Sequence, residues 1–404
     1  MAPPRSRLFL IILVVVTALG ALAMQMFIPS LPVIAADFAV SAGVSQLALS
    51  LSMVSIAVTM LIYGPLSDRF GRRRVLLTGL ALFLIGSVIC GLAPDIETLI
   101  VGRIVQAAGG AAGMVLSRAI VRDVYGRERS AQAIAYITMA MVVAPMVAPA
   151  IGGIITDAYG WRWIFVFVGV CGLLVTALTA LRLAETLAEP QPIASPVAMI
   201  RGFGRLLRIP AFCGYTFQAA FSMASFFAFM SGTPYIMVDI MGRPPSEFGL
   251  YFILVAGAYM VGNFMAGRMS VRVGLDRMIV LGSILSLVSI FCTVILIAMG
   301  HWQPWAIFGP AVFVAIGNGM SMPNSQAGAV SVDPKVAGTA SGLSMFMQMM
   351  TAAITAQAVG SMTNGTPYPT VGFMLFCAVA ALIAIAIPLL NGRRQAAGAR
   401  TPVS

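Results

Sequence analysis

The sequence predicts an all-α integral membrane protein, with twelve transmembrane helices in two pseudo-symmetric six-helix bundles and both termini on the cytoplasmic side. Three observations support this fold class. Of 404 residues, 60% are hydrophobic and only 9% are charged, whereas soluble domains carry about 25% charged residues. Apolar windows long enough to cross a bilayer recur along the chain. A charged loop in the first half also has a degraded copy in the second half.

The apolar windows are bounded by Gly, Pro or charged residues and mark the predicted spans. They lie near residues 8–28, 44–65, 75–93, 98–121, 133–155, 162–182, 211–236, 246–267, 277–299, 304–326, 338–361 and 369–391. One long polar connection separates two groups of six, and it has room for a short amphipathic helix on the membrane surface. The predicted organisation is therefore a bundle at 1–183, a cytoplasmic linker at 184–209, a bundle at 210–392 and a cytoplasmic tail at 393–404.

The basic residues orient these spans. Of the 24 Lys and Arg residues, only Arg162 and Arg243 fall in predicted outer connections, and Arg103 and Arg118 fall within a span. The others lie in predicted cytoplasmic segments, where membrane proteins concentrate basic residues. This asymmetry predicts N and C termini inside the cell. It also explains the net charge of +11 without a nucleic-acid partner.

The loop at 64–74, GPLSDRFGRRR, joins the second and third predicted spans and is repeated at 267–277 as GRMSVRVGLDR. Gly64 is expected to let two helices approach closely, and Gly71 is expected to form a tight turn. Asp68 is expected to face a helix N-terminus or to pair with an arginine of a neighbouring helix. Such contacts predict a lock on one conformation of the two bundles. The alternative is that the arginines only set the topology.

The copy differs from the first loop in its charges. Val271 occupies the position of Asp68, and the uncharged Leu275 occupies that of Arg72. The lock is therefore expected to be strong in the first half and weak in the second.

The loop resembles the signature loop of the major facilitator superfamily, and other stretches narrow the resemblance. RIVQAAGGAAGMVLSRAIVRD at 103–123 resembles the fourth helix of drug-efflux members, and APMVAPAIGG at 144–153 resembles the fifth-helix motif of antiporters. SRAIVRDVYG, GWRWIF and MPNSQAGAV together resemble the bicyclomycin- and chloramphenicol-resistance (Bcr/CflA) branch.

This resemblance implies a multi-pass exporter of small drugs in the bacterial cytoplasmic membrane, working by alternating access of two rocking bundles. It implies proton-linked antiport, with the proton gradient as energy source and no cofactor. The implied partners are an amphipathic small-molecule substrate and the lipid bilayer, with a monomer as the default. The alternative is a metabolite exporter, an importer or a facilitator without proton coupling.

The fourth predicted helix carries the clearest functional residues. Arg103 and Gln106 lie on a face that is otherwise small, and an arginine within a span must meet a cavity or a partner. Arg103 is therefore expected to line the substrate path or to tune a proton site; the alternative is snorkelling to the outer interface. Arg118, Arg122 and Asp123 are expected at an inner gate.

The first predicted helix departs from the pattern of the exporters that it resembles. They usually carry an acidic residue where Gln25 stands, and no Asp or Glu lies near the centre of any predicted span. Proton coupling needs a titratable group that both sides can reach in turn, so the sequence weakens that expectation. The carboxylate with the best position is Asp239, at the outer end of the seventh span. Because Arg103 has no acidic partner at its depth, the site is expected to favour neutral or anionic compounds over lipophilic cations.

Two sets of candidate residues follow. The candidate substrate-binding residues are Gln25, Met26, Phe27, Arg103, Gln106, Phe217, Phe221, Asn318, Asn324 and Gln348. Aromatic and methionine surfaces accept varied shapes, and amides within a span need a partner or a ligand. The candidate gating residues are Gly64, Asp68, Arg69, Gly71, Arg72, Arg118, Arg122, Asp123, Pro145, Pro149 and Gly153. The two prolines predict a bent fifth helix, which the resemblance associates with transport direction; a kinked packing helix is the alternative.

The sequence does not predict an enzyme. Catalysis would require clustered carboxylates or histidines, or a nucleophile beside a base, and the single histidine, His301, lies in a predicted outer connection. The five cysteines lie in or beside apolar runs without paired spacing, which predicts buried thiols and no metal site.

Overall fold

In the computed structural model nearly every described residue is helical, and the described residues include no β-strand. The structure describes residues 7–190, 196–333 and 336–398; for 126–132, 134–135, 138–142, 196–199 and 391–398 it describes only the backbone. The helices are α1 (Arg7–Phe27), α2 (Leu31–Asp37), α3 (Ala42–Phe70), α4 (Arg72–Gly91), α5 (Ile96–Tyr159), α6 (Arg162–Arg182), α7 (Pro196–Leu206), α8 (Pro210–Tyr235), α9 (Pro245–Val273), α10 (Leu275–Ala298), α11 (Pro304–Ser331), α12 (Ala337–Ser361) and α13 (Tyr368–Gly398). A short 3₁₀ turn, Ile28–Ser30, joins α1 to α2, and a π-helical turn, Ile236–Ile240, follows α8.

Ten helical segments among the described residues are long and apolar enough to cross a membrane. They are Arg7–Asp37, Ala42–Phe70, Arg72–Gly91, Ile96–Tyr125, Arg162–Arg182, Pro210–Ile240, Pro245–Val273, Leu275–Ala298, Pro304–Ser331 and Tyr368–Leu390. Val143–Tyr159 is apolar but shorter, and α12 is not among the ten. The predicted all-helical membrane fold is therefore confirmed, whereas the count of twelve spans and the side of the termini stay predictions.

The predicted break between the fourth and fifth spans is wrong. A single helix of 64 residues, α5, runs from Ile96 to Tyr159 through the charged stretch that was expected to form a connection. Charged residues are good helix formers and the first proline is Pro145, so nothing in this stretch stops the helix. At about 1.5 Å per residue, α5 is several times longer than the roughly 30 Å hydrocarbon core. Its two apolar ends, and not the whole helix, are thus the candidate crossing segments.

The N-terminus of α5 has a side-chain cap. Asp95 precedes the helix, and its carboxylate accepts a hydrogen bond from the backbone N–H of Thr98 at 2.7 Å. This bond lowers the pKa of the Asp95 carboxyl below its usual range, because it stabilises the ionised form.

The two loops of the internal repeat share one backbone conformation. Gly71 has φ 97° and ψ 143° between α3 and α4, and Gly274 has φ 94° and ψ 145° between α9 and α10. Residues with a side chain rarely adopt such φ values, whereas glycine adopts them readily. The predicted tight turn at Gly71 is therefore confirmed, and it recurs in the second loop.

The described chain divides into two compact units. Unit 1 comprises Met1–Ala194, Ser231–Ile253 and Ala356–Gly365, and unit 2 comprises Ser195–Met230, Leu254–Thr355 and Thr366–Ser404. These units do not coincide with the predicted bundles at 1–183 and 210–392, which stay a prediction. Within the predicted linker, α7 belongs to unit 2. The predicted tail begins inside α13, and residues 399–404 lie outside the described chain.

In unit 1, α5 packs closely against α1 and α4. A Cβ on Gly20 of α1 would lie 2.7 Å from the carbonyl oxygen of Gly110 on α5. Only two glycines allow the backbones to come this close, as expected for helices that associate through small residues. This close packing fixes the face of α5 that carries Arg103.

The cysteines are free thiols, but they are not all buried. Cys90 and Cys377 are buried, Cys171 and Cys213 are partly buried, and Cys292 is exposed. The prediction of a buried thiol is thus wrong for Cys292, because one face of an apolar helix such as α10 is left uncovered by other helices.

Candidate functional site

Arg103 forms the centre of a buried polar network in unit 1. Its side chain is only 2% exposed, although it carries a charge. Its Nη1 donates hydrogen bonds to Oε1 of Gln106 at 2.6 Å and to the carbonyl oxygen of Ala23 at 3.3 Å. The Nε2 of Gln106 in turn donates to Oγ of Ser87 at 2.8 Å. The guanidinium carbon lies 4.4 Å from the ring centroid of Phe27, within the range of a cation–π contact.

Two polar atoms at this level of the structure lack a partner. Nε of Arg103 and Oε1 of Gln25 are buried and form no hydrogen bond within the described chain. No carboxylate of the described residues forms an ion pair with Arg103. A buried cation without a counter-ion costs free energy, which the aromatic ring and the neutral acceptors offset only in part. The arrangement suits a ligand that brings a neutral acceptor or a negative charge.

The burial of Arg103 decides between the two interpretations of its sequence position. A snorkelling arginine would extend its charged end to water, whereas this guanidinium is enclosed by α1, α4 and α5. The snorkelling alternative is therefore wrong. Ser87 was missed because a serine in an apolar run gives no sequence signal that distinguishes a network partner from a helix-packing residue.

The structure brings only some of the predicted substrate-binding residues together. Phe27, Arg103 and Gln106 are in contact, as described above. Met26 is fully buried, and its carbonyl oxygen lies against the position where Gly152 would carry a Cβ. Met26, although predicted to bind substrate, therefore packs α1 against α5 in this structure.

The other predicted substrate-binding residues lie in unit 2 and have separate environments. The rings of Phe217 and Phe221 stack with centroids 6.3 Å apart. Asn324 donates to a carbonyl oxygen of its own helix at 2.7 Å, and Asn318 accepts from a serine hydroxyl at 3.4 Å. Gln348 accepts a hydrogen bond from a glutamine side chain at 3.3 Å. Asn324 thus satisfies its amide donor locally, whereas Gln348 contacts a neighbouring helix.

The predicted cytoplasmic lock centres on Arg72, whose side chain is largely buried. Its Nη2 lies 2.6 Å from Oδ1 of Asp68, and its Nε lies 2.8 Å from Oδ2 of Asp123. Its Nη1 donates to Oγ of Ser67 at 2.5 Å. One guanidinium therefore joins α3, α4 and α5, and Asp68 pairs with an arginine of the following helix, as predicted.

Glu185, in the connection after α6, contacts the same region as the predicted lock. Its two carboxylate oxygens accept the backbone N–H groups of Arg72 at 2.8 Å and Arg73 at 3.1 Å. These N–H groups belong to the N-terminus of α4, where negative charge is stabilising. Sequence analysis missed Glu185 because a lone acidic residue in a polar linker has no spacing that links it to a loop so far away in the chain.

The other candidate gating residues of this region have different environments. Gly64 has no atom within 4 Å of the place where a Cβ would stand, so the predicted close helix approach is wrong there. The guanidinium carbon of Arg69 lies 5.9 Å from the ring of Phe70. Arg118 is half-buried and Arg122 is exposed.

At the end that is predicted to face outward, unit 1 contains a second set of close helix contacts. We call it the outer seal: residues 149–157 of α5 pack against residues 245–249, and residues 43–46 of α3 pack against residues 357–361 of α12. A Cβ on Gly153 would lie 2.6 Å from the carbonyl oxygen of Pro245. The carboxylate of Asp157 accepts the backbone N–H of Ser246 at 3.0 Å. The predicted gating residue Gly153 is therefore placed at a backbone-to-backbone contact.

Pro145 and Pro149 lie inside α5, as the sequence indicated. The carbonyl oxygen of Pro149 lies 2.5 Å from the place where Gly249 of α9 would carry a Cβ. Pro149 is buried and Pro145 is partly buried. The proline segment thus forms part of the same contact as Gly153.

Polar side chains of α3 line the other part of the outer seal, and sequence analysis missed them. Nε2 of Gln357 donates to the carbonyl oxygen of Gly43 at 2.9 Å, and its Oε1 accepts from Ser50 at 2.7 Å. Gln46 is fully buried, yet both its amide oxygen and its amide nitrogen lack a partner within the described chain. Such residues could have been flagged as amides within spans, but the sequence does not show which helix each one faces.

Asp239 lies in the π-helical turn after α8 and is exposed. Tyr235, one turn earlier, is buried, and its hydroxyl forms a 2.6 Å hydrogen bond with Ser45 of the outer seal. Asp239 therefore lies one turn from the Tyr235–Ser45 hydrogen bond, and it is not part of the buried network around Arg103.

The chain matches the Major Facilitator Superfamily over residues 13–356. It is 30% identical over 380 residues to a bicyclomycin resistance protein homolog of Haemophilus influenzae, covering 93% of this chain and 95% of the relative. It is 29% identical over 384 residues to a chloramphenicol resistance protein of Pseudomonas aeruginosa, covering 93% and 89%.

A solved structure of a peptide transporter, POT, in complex with sulfate superimposes with a TM-score of 0.78. The match covers 97% of this chain and 96% of that chain, at 15% identity, so it shows a shared fold alone. The extent of the sequence match, the helical membrane fold and the named relatives agree with the resemblance of the 64–74 loop. The chain belongs to the Major Facilitator Superfamily of membrane transporters.

Proposed function

We propose that the protein is an efflux transporter that exports small amphipathic compounds across the bacterial cytoplasmic membrane as a monomer. Two relatives bear the names of bicyclomycin and chloramphenicol resistance, which supports drugs as substrates. Export by alternating access needs one closure at each end of the substrate path. The predicted cytoplasmic lock around Arg72 and the outer seal are the candidates for these two closures.

The observation that carries the substrate class is the buried guanidinium of Arg103. It contacts neutral acceptors and an aromatic ring, and its Nε is unpartnered within the described chain. A ligand acceptor or anionic group would supply the missing hydrogen bond, whereas a lipophilic cation would add a second positive charge to a low-dielectric site. Neutral or anionic compounds are therefore the favoured substrates.

The energy source is a separate part of the proposal. The resemblance favours proton-linked antiport, and Asp239 is the carboxylate that could carry the proton beside the outer seal. A second candidate function is facilitated diffusion without protons. The specific observation in its favour is Gln25, an amide that cannot titrate at the position where related exporters usually carry an acid.

The substrate class is tested by transport in everted membrane vesicles. Chloramphenicol serves as the neutral substrate and ethidium as the lipophilic cation. We expect vesicles with the wild-type protein to accumulate chloramphenicol and not ethidium. Arg103→Lys should reduce the chloramphenicol flux at least tenfold, because lysine lacks the planar guanidinium fork. Arg162→Lys is the control, since Arg162 also contacts an aromatic ring but its side chain is 43% exposed at the N-terminus of α6. Preferred uptake of ethidium would contradict the proposed substrate class.

Proton coupling is tested in the same vesicles with a protonophore. Collapse of the flux, together with its loss in Asp239→Asn, supports antiport through Asp239. A flux that survives the protonophore supports the facilitator. In that case Gln25→Asp should introduce a pH dependence that the wild-type protein lacks.

A further inference from the structure

The linker helix α7 is fixed to unit 2 by one of its faces. Leu206 is 1% exposed and belongs to a buried cluster with Phe212, Ala329, Ala340 and Leu343. Phe203 and Ile209 pack against the same cluster. The contacts of this apolar stripe fix the orientation of α7 on unit 2. The residues on the opposite face of α7 therefore point away from the buried cluster.

The contacts of this stripe also place α7 along the length of the spans. Phe212 lies in the first turn of α8, and Ala329 lies in the last turn of α11. Both helices are candidate membrane spans. A helix that packs against the ends of two spans lies at the level of the membrane surface, on the side where the linker runs.

The opposite face of α7 carries a basic stripe. Arg201, Arg205 and Arg208 follow one another at helical spacing, so they lie along one side of the helix. The chain keeps its helical turn beyond α7, because the N–H of Leu207 donates to Phe203 and that of Arg208 donates to Arg205. Arg205 pairs with Asp333 at 2.9 Å but stays 67% exposed. Within the described residues, Arg201 and Arg208 form no ion pair.

Two large aliphatic side chains border the basic stripe. Ile200 is 65% exposed and Leu207, in the turn after α7, is 44% exposed. They lie seven residues apart and therefore on one edge of this helical segment. In water such a pair would be costly. At a bilayer surface it would enter the acyl chains while the neighbouring arginines reach the headgroups, which is the pattern of an interfacial helix.

We propose that the surface formed by Ile200, Arg201 and Arg205 of α7, with Leu207 and Arg208 of the turn that follows it, is a binding surface for anionic phospholipid headgroups of the inner leaflet. The guanidinium fork matches a phosphate group, and positive charge matches the anionic leaflet surface. The aliphatic edge selects a lipid over a soluble phosphate. This surface is independent of the compound that the protein transports.

The test uses the full-length protein in detergent and counts bound lipids by native mass spectrometry. Phosphatidylglycerol is titrated against phosphatidylcholine, and inorganic phosphate is the soluble competitor. The double variant Arg201→Gln/Arg208→Gln is compared with Arg272→Gln/Arg277→Gln, which removes two exposed arginines of the same unit away from α7. Arg201→Lys/Arg208→Lys keeps the charges.

We expect the wild-type protein to bind phosphatidylglycerol more tightly than phosphatidylcholine, with no displacement by phosphate. The α7 glutamine variant should bind phosphatidylglycerol roughly 25-fold more weakly, at about fivefold for each of the two arginines. The lysine variant should retain most of the affinity, and the control should stay within about twofold. Equal affinity in the α7 glutamine variant and wild type would overturn the proposal. An equal loss in the control, no preference for phosphatidylglycerol, or displacement by phosphate would overturn it as well.

Discussion

The carboxylate of Glu185 accepts the backbone N–H of Arg72 at 2.8 Å and so fixes the N-terminus of α4 to the chain segment that follows α6. Gly71 precedes this helix and has no side chain that could cap it. Glu185 supplies the missing acceptor from a distant part of the sequence. The cytoplasmic lock is therefore held from two sides: Asp68 and Asp123 bind the Arg72 side chain, and Glu185 binds its backbone.

Glu185→Gln should weaken this cap. The neutral amide keeps one acceptor but loses the charge that favours a helix N-terminus, so we expect a loss of about 1 kcal/mol in stability. The measurement is thermal unfolding of the purified protein, followed by transport in vesicles. Glu189→Gln is the control, because Glu189 is an exposed acid of the same linker. Equal effects of the two changes would show that the charge of the linker matters and the cap does not.

Asp68→Asn should impair the transport cycle far more than Val271→Asp alters it. Asp68 lies 2.6 Å from Arg72, whereas Val271 at the equivalent position of the repeat is 91% exposed. Asp68 is 40% exposed and Arg72 keeps its ion pair with Asp123, so the expected loss of stability is about 1 kcal/mol. The measurement is the initial rate of export at equal amounts of protein in the membrane. An equal or larger effect of Val271→Asp would contradict the assignment of the lock to the first loop.

Gln46→Leu and Gln357→Leu should change the stability of the outer seal in opposite directions. The oxygen and the nitrogen of the Gln46 amide are both buried without a partner among the described residues, and each unsatisfied group costs about 1–3 kcal/mol. Leucine has a similar volume and removes that cost. Gln357 forms three hydrogen bonds, with Ser50, Gly43 and Ser361, which leucine would break.

We therefore expect Gln46→Leu to raise the unfolding temperature and to slow turnover, because the closed seal becomes harder to open. Gln357→Leu should lower the unfolding temperature. Thermal unfolding and initial export rates are measured on both variants. A loss of stability in Gln46→Leu would mean that its amide is satisfied in the protein by a group such as bound water.

Gly153→Ala should open or strain the outer seal. The added Cβ would lie 2.6 Å from a carbonyl oxygen of the Pro245 backbone, and overpacking of this kind costs about 1–3 kcal/mol. Gly372→Ala is the control, because nothing lies within 4 Å of that position in α13. There alanine should be neutral or should stabilise the helix by up to about 1 kcal/mol. Thermal unfolding of the two variants, together with alkylation of a cysteine introduced at Ser246, measures the effect on the seal.

The sequence predicts the membrane fold and the repeat well, because both depend on composition and on local backbone chemistry. Hydropathy marks the spans, and the glycine between two apolar helices predicts the tight turn at Gly71; the repeat aligns Gly274 with it. The break expected after residue 121 is wrong because charged residues and glycine were taken as loop signals, although charged residues are good helix formers and α5 continues even through Pro145 and Pro149.

The site was harder to predict, because its residues meet across long sequence separations. Arg103 and Gln106 share one helical face and could be paired from their spacing alone. Ser87, Glu185 and Gln46 could not, because their partners lie on other helices and periodicity does not show which face meets which neighbour. The expected close helix approach at Gly64 is wrong for the same reason. A glycine permits close packing, but the sequence does not show whether another helix lies beside it.

The matching turns at Gly71 and Gly274 have a consequence for how the two halves of this transporter have diverged. Each turn needs a glycine for its backbone geometry, whatever charges surround it. The geometry of the ancestral loop has been kept in both copies, while its ionic chemistry survives in one. The duplicated loop therefore combines a turn geometry that is constant with ionic contacts that vary. In the second copy, new ion pairs could be engineered without changing the glycine turn.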